Sequence, residues 1–218
     1  MLALSILALA GCAALPFPPV ERVPMPSHEP AEVIARFAES IPAQAKLLSS
    51  VTFRFGPQEI AGIGVLEFDE AAGTFGVACM NPMGMKLFEL EGTGDAIKMR
   101  FILPLIDRGG GFGQRVGEDI RRMYFGLVPS ACGYWSRWDG EALEVSERTD
   151  GGVMRYTFAG ADGALIEKAF FTNDDDLRWR VLYFGYERKN AKLFARDVVF
   201  QNYQYGYSLT VRVKEILD

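Results

Sequence analysis

The residues of this chain able to do covalent or acid–base chemistry are few. There is one histidine, His28, and there are three cysteines, Cys12, Cys79 and Cys132; carboxylates pair along the chain as Glu89/Glu91 and Glu118/Asp119. A single histidine rules out a histidine-rich metal site, and His28 sits among prolines, where a solvated, inert side chain is expected. No Gly-x-Ser-x-Gly elbow is present to raise a serine nucleophile. The Asp107–Gly113 stretch, DRGGGFG, is rich in glycine but lacks the Lys-Ser/Thr pair of a phosphate loop. Asn173-Asp174-Asp175-Asp176 is dense in acid, yet a calcium loop needs more oxygen ligands in a longer cradle, so it reads as a solvated hairpin tip. Nothing marks either carboxylate pair as the two sides of a cleft. Cys79 and Cys132 have neither a catalytic partner nor metal-ligand spacing; they are two separate buried thiols or, in an oxidising compartment, a disulfide. No enzyme, metal or cofactor is therefore expected.

Cys12 is different, because its surroundings supply a reaction. Residues 1–10, MLALSILALA, are apolar and uncharged. The run is too short to span a bilayer, which takes about 20 residues, and it fits the apolar segment of an export signal. It ends in Leu9-Ala10-Gly11-Cys12, the arrangement of a bacterial lipobox: small residues fit a signal-peptidase cleft, and a thiol is the nucleophile that takes the lipid. The alternative is a plain signal peptide that happens to contain a cysteine. On the lipobox reading residues 1–11 are the signal, Cys12 carries the anchor, and residues 12–30 form a tether holding more than half of the chain's eleven prolines. Ala13 in place of an aspartate points to the outer membrane, on its periplasmic face, as the destination.

The body must then be placed on elements. With 218 residues, 49% of them hydrophobic and 23% charged, the composition is globular, and a net charge of −5 argues against nucleic acid as a partner. Pro30 and Glu32 mark a helix start, and apolar residues recur with helical period at Ile34, Phe37, Ala38, Ile41, Ala45 and Leu48, with Pro42 as a kink or break. The period then changes to two. Strands are predicted at 51–55, 60–69, 74–81, 85–91 and 96–103, a short amphipathic helix at 114–125, and further strands at 142–148, 153–159, 164–172, 177–186, 196–201 and 207–215. Residues 126–140 resist assignment. About eleven strands punctuated by tight turns predict a mainly β, antiparallel sheet with one wet and one apolar face, curled around a concave side with only two helices to cover it. Large aromatics on that side imply either a cavity or a fully packed core, which patterning alone does not separate.

Three features resemble LolB, the outer-membrane lipoprotein receptor family of the Lol sorting pathway. They are the order of lipobox, tether, helix, strands, helical insertion and strands; the turn Met80-Asn81-Pro82-Met83-Gly84 with the strand Met85–Leu90 after it; and Trp179-Arg180-Val181-Leu182-Tyr183-Phe184-Gly185-Tyr186. The first motif is similar to that family's Asn-Pro-Leu-Gly turn and the second to its Trp-Lys-Val-Val-Tyr-x-Gly-Tyr segment. The resemblance covers most of residues 31–215. It implies one LolA/LolB-like domain over residues 31–218, an incomplete antiparallel barrel covered by short helices with an apolar cavity that takes lipoprotein acyl chains. It also implies a soluble periplasmic carrier as partner, and a protruding turn residue for membrane delivery, here Met83. The stretch Asp107–Gly140, where that family has its lid, does not match.

Face parity places Leu66, Phe68, Phe88, Leu90, Met99, Phe101, Tyr156, Phe158, Trp179, Val181, Tyr183, Phe200, Leu209 and Val211 on the apolar side as expected cavity lining, with β-bulges the way such parity fails. The expectation is a monomeric lipid-binding lipoprotein. The competing reading is a scaffold or assembly lipoprotein with a packed core and a protein partner, for which the Tyr-rich stretch Asn202–Tyr207 is a contact candidate.

Overall fold

The computed structural model describes residues 16–20, 23–25, 27–107, 110–130 and 133–217. Helix α1 (Pro30–Ser40) is followed by strands β1 (Gln44–Phe55), β2 (Gln58–Asp69), β3 (Thr74–Met80), β4 (Lys86–Thr93) and β5 (Ala96–Ile102). Helix α2 (Phe112–Tyr124) comes next. Strands β6 (Tyr134–Trp138), β7 (Ala142–Thr149), β8 (Gly152–Ala159), β9 (Ala164–Thr172), β10 (Leu177–Lys189), β11 (Lys192–Asn202) and β12 (Tyr207–Leu217) complete the fold. All twelve strands form one antiparallel sheet in the order β5-β4-β3-β2-β1-β12-β11-β10-β9-β8-β7-β6. Every neighbour but one is joined by a hairpin; the exception is β1 on β12, which brings the two halves of the chain together. The sheet does not close: β5 and β6 are its edges.

Two differences from the sequence reading have local causes. The helical period runs on through Leu48, but α1 stops at Ser40, because Pro42 has no amide to give and disfavours the α region at Ile41, whose ψ is 155°. Residues from Gln44 onward are already strand. The unassigned stretch contains β6, the twelfth strand, which pairs only on its β7 side and keeps Trp135 and Trp138 exposed.

The hairpins at Gly56-Pro57, 81–85 and 203–206, together with the chain between β5 and α2, lie at one end of the strands. The turns after β2, β4, β8 and β10 lie at the other. Helix α1 plugs that second end: Val33 reaches the Gly163 turn, Phe37 packs edge-on to Phe158 at 5.6 Å, and Lys192 Nζ donates to Glu39 O. The buried core of Phe37, Val145, Phe158, Leu165, Val181, Val198 and Phe200 therefore fills the concave side under β7–β11. Among the described residues the first end has no such plug.

Candidate functional site

Helix α2 divides the concave face. Gly113 and Gly117, four residues apart on one side of the helix, receive Met99 and Ile97 of β5: a Cβ at these glycines would lie 2.3 and 2.5 Å from those side chains. The helix thus leans on the β5 edge and leaves a space toward β1 and β12, bridged by Asp119 and Tyr207. Its far end is bound tightly. Lys168 Nζ donates to Phe125 O (2.8 Å) and Arg122 O (3.3 Å), the Tyr183 hydroxyl donates to Met123 O (3.0 Å), and Gly126 N donates to Glu70 Oε1 (3.0 Å). The bonds from Lys168 and Tyr183 satisfy carbonyls that a helix C-terminus leaves without partners. Burial pushes the Lys168 ammonium down to about 8, an electrostatic cost set against those two bonds.

Between α2 and strands β1–β4 and β12 lies a cavity of about 800 Å³. Its helix wall is Phe112, Arg115, Val116, Asp119, Ile120, Met123 and Tyr124, one face at helical spacing. The sheet wall explains why space remains. The inward positions of β2 are Ile60, Gly62, Gly64 and Leu66, so two successive side chains are missing. Ser49 and Val51 on β1 pair with Gly64 and Gly62, and Val77 and Cys79 on β3 are small as well. Cys79 is a free thiol pushed up to about 11 by burial, so it acts as a small apolar residue. Cys12 and Cys132 lie outside the described residues.

The mouth is at the end α1 leaves open. Phe55, Ile60, Leu105 and Tyr205 line the cavity and are also exposed to solvent, forming an apolar rim. The 81–85 turn stands at the same end. Asn81 Oδ1 accepts the amides of Met83 (3.0 Å) and Met85 (2.9 Å), Gly84 N closes on Asn81 O, and Gly84 takes φ +82°, a conformation glycine adopts without cost. The turn is thereby fixed from within, and the Met83 side chain at its tip is 87% exposed.

A buried carboxyl group is built into the wall. Asp119 is buried and accepts from the Tyr207 hydroxyl and from Arg122 Nη1 (2.8 Å), latching α2 to the start of β12. Burial raises its carboxyl from 3.8 to about 6, against the opposing pull of Tyr207 and Arg122. The folded chain then holds this proton between about pH 4 and 6, where the unfolded chain has released it. Stability is expected to fall as pH rises through that window and to level off above it. Urea midpoints measured from pH 4 to 7 are expected to decline more steeply in the native protein than in Asp119→Asn, where the carboxyl of Glu167, also raised by burial, remains, the two differing across the window by up to ~3 kcal/mol. Parallel curves for the two proteins would show that the carboxyl titrates as in water.

Of the fourteen residues that parity puts on the apolar side, Leu66, Phe88, Leu209 and Val211 line this cavity. The other ten do not, for two physical reasons. Alternation sets the face but not what covers it: Tyr156, Phe158, Val181 and Phe200 are core residues in the half that α1 fills. Trp179 lies between Phe170 and Phe200 beneath the Arg122 guanidinium. Tyr183 anchors α2, Phe68 packs on Tyr124 and Phe125, Leu90 is fully buried, and Met99 fills the Gly113 notch behind the helix. Phe101 is on the wrong face altogether. A bulge opposite Glu89/Leu90 inserts Arg100 as an extra residue, turning Phe101 outward, where Lys86 Nζ lies 5.9 Å from its ring. The lining that sequence reasoning missed includes Gly62, Gly64, Ser49, Asp119 and the α2 face. The readable signal was the pair of glycines at alternate positions of β2.

No protein-family model matches the chain, and no curated protein matches it in sequence. Solved structures do match in fold. A LolA superfamily protein from Nitrosomonas europaea superposes with a TM-score of 0.56 at 9% identity, covering 86% of this chain and 92% of that one. An outer membrane lipoprotein-sorting protein domain from Vibrio parahaemolyticus gives 0.54 at 10% identity, covering 85% and 90%. A DUF1329 family protein from Desulfovibrio piger gives 0.51 at 6% identity, covering 85% and 90%. The chain is therefore a half-barrel whose open sheet and crossing helix enclose a cavity. More particularly, its fold is similar to that of the LolA superfamily protein and of the lipoprotein-sorting domain.

Proposed function

We propose that this protein is a lipid-anchored carrier that takes an acyl chain into the cavity under α2 and passes it to the outer membrane, without catalysis. The observation that carries the reading is the apolar cavity, open at one end and rimmed by exposed apolar side chains. Its size falls in the range of small-molecule sites. Each methylene buried contributes about 0.8 kcal/mol, so a sixteen-carbon chain gains on the order of 10 kcal/mol before the costs of association. Transfer then needs only a better next site. In this reading Cys12 carries the anchor, Met83 is the tip that enters the membrane, and the lipid arrives from a soluble periplasmic carrier. In the same reading the Arg115 side chain at the wall, which donates to Gly110 O, meets the ligand's polar end.

Native mass spectrometry of a Cys12→Ala form, exported to a bacterial periplasm and purified without detergent, tests the reading. Co-purified lipid or lipopeptide, or uptake of added palmitate, is the expected result. A protein that arrives empty and ignores palmitate removes the carrier reading and favours a scaffold that binds a protein partner.

A further inference from the structure

The proline-rich segment between Cys12 and α1 is docked on the body at two described residues, Phe17 and Met25. Phe17 is buried on the outer face of the sheet with Leu182 and Phe184 of β10 and Val199 of β11. Its ring lies 5.5 Å from Phe184 and 4.8 Å from the guanidinium of Arg212, which Asp197 Oδ1 holds at 2.7 Å. Met25 packs at the plugged end of the barrel, beside Gly163 and the α1 residue Val33. Met25 thus lies at the plugged end, and Phe17, earlier in the chain, lies on the outer face part of the way toward the mouth. Eight residue steps separate the two in sequence, a reach of about 25 Å for extended proline-rich chain.

Strand register sets how far Phe17 stands from the mouth. Val199 is level with Thr210 and Thr52, and Asp197 with Arg212 and Ser50. Phe55, at the rim, is three to five residues further along β1, about 10–17 Å at strand rise. Cys12 is five residues before Phe17 in sequence, a reach of at most about 18 Å. A free segment from Cys12 to Pro30 would instead reach about 56 Å and leave the domain's attitude undetermined.

We propose that the docked segment is a strap that delivers the Cys12 anchor to the mouth end of the half-barrel, so that the rim and the Met83 turn face the bilayer in which the anchor sits. Phe17 is the residue that sets this attitude. The inference rests on the lipid-anchor reading above and adds to it an orientation, with a lipid surface as the partner of the rim.

The test uses the full-length protein, matured in bacteria and reconstituted in vesicles of phosphatidylethanolamine and phosphatidylglycerol. The mass of the N-terminal peptide is read first; an unmodified Cys12 overturns the anchor and the strap together. With Cys12 lipidated, a photo-crosslinker is placed at the mouth end (Met83→benzoylphenylalanine) or at the plugged end (Ala71→benzoylphenylalanine), and adducts to phospholipid are counted. Adducts several-fold more frequent at 83 than at 71 are expected. That contrast is expected to collapse in Phe17→Ser, and also when ten Gly/Ser residues inserted after Ala14 lengthen the leash with Phe17 in place. Equal labelling of the two ends, or a contrast that survives both changes, overturns the strap while the anchor stands.

Discussion

Gly64→Leu is expected to weaken acyl-chain binding about a hundred-fold or more and to leave the fold intact. The glycine faces the cavity from the middle of β2, and its backbone is ordinary strand, so no conformational barrier opposes a side chain. A Cβ there meets Val51 Cγ2 at 3.3 Å and the Ala78 carbonyl oxygen at 3.8 Å; the first contact is tight, but it is made with the end of a side chain that borders empty space. The leucine then occupies volume that about four methylenes of a ligand would fill. At 0.8 kcal/mol each the loss is about 3 kcal/mol, or some two hundred-fold in affinity. Gly62 is the wrong glycine to choose: its Cβ would lie 2.8 Å from both Cys79 Sγ and the Met80 carbonyl oxygen, and the backbone cannot yield. Titration with a fluorescent fatty acid, alongside urea denaturation of the same variant, reads both halves of the expectation. Native-like affinity in a stably folded Gly64→Leu would place the acyl chain elsewhere.

That variant also shows where sequence reading ends. Period-two alternation located strands because it is a property of each strand alone, and the wet and apolar faces follow from it. It read β2 as an ordinary alternating strand and β10 as cavity wall. Yet Gly62 and Gly64 open the space, while Trp179, Val181 and Tyr183 lie in packed core. Which part of the concave face stays empty depends on where α1 and α2 settle. That in turn depends on contacts between residues far apart in sequence, such as Lys168 with Phe125 and Met99 with Gly113. Phe101 fails for a smaller reason: one inserted residue inverts parity, and nothing in the sequence around Arg100 announces it. Asp119 was visible as half of a carboxylate pair, but its burial and its bond to Tyr207 bring together residues 88 positions apart. The Asn81–Gly84 turn was legible because its geometry is local, a side chain and a glycine acting within four residues.

Met83→Glu is expected to slow delivery of bound lipid to acceptor vesicles by about two orders of magnitude while leaving lipid affinity and stability unchanged. With 87% of its surface exposed and its turn held by Asn81, Met83 contributes almost nothing to folding, and it is not among the residues lining the cavity. In the proposed carrier reading its place at the mouth end suits it to membrane contact: a flexible, unbranched, polarizable side chain can enter the gaps between acyl chains. A charged side chain at membrane depth costs about 2.5–3.5 kcal/mol on insertion scales, which converts to about a hundred-fold in the population of the inserted state. Met83→Leu preserves the apolar tip and is expected to transfer at the native rate; the pair of variants separates apolar insertion from any need for sulfur. The measurement is the rate at which a fluorescent lipid, preloaded in the Cys12→Ala protein, appears in vesicles containing a quencher, with affinity titrated separately. If the tip acts only as a turn, both variants will match the native rate, and membrane delivery must then rest on the remaining apolar rim of Phe55, Ile60 and Leu105.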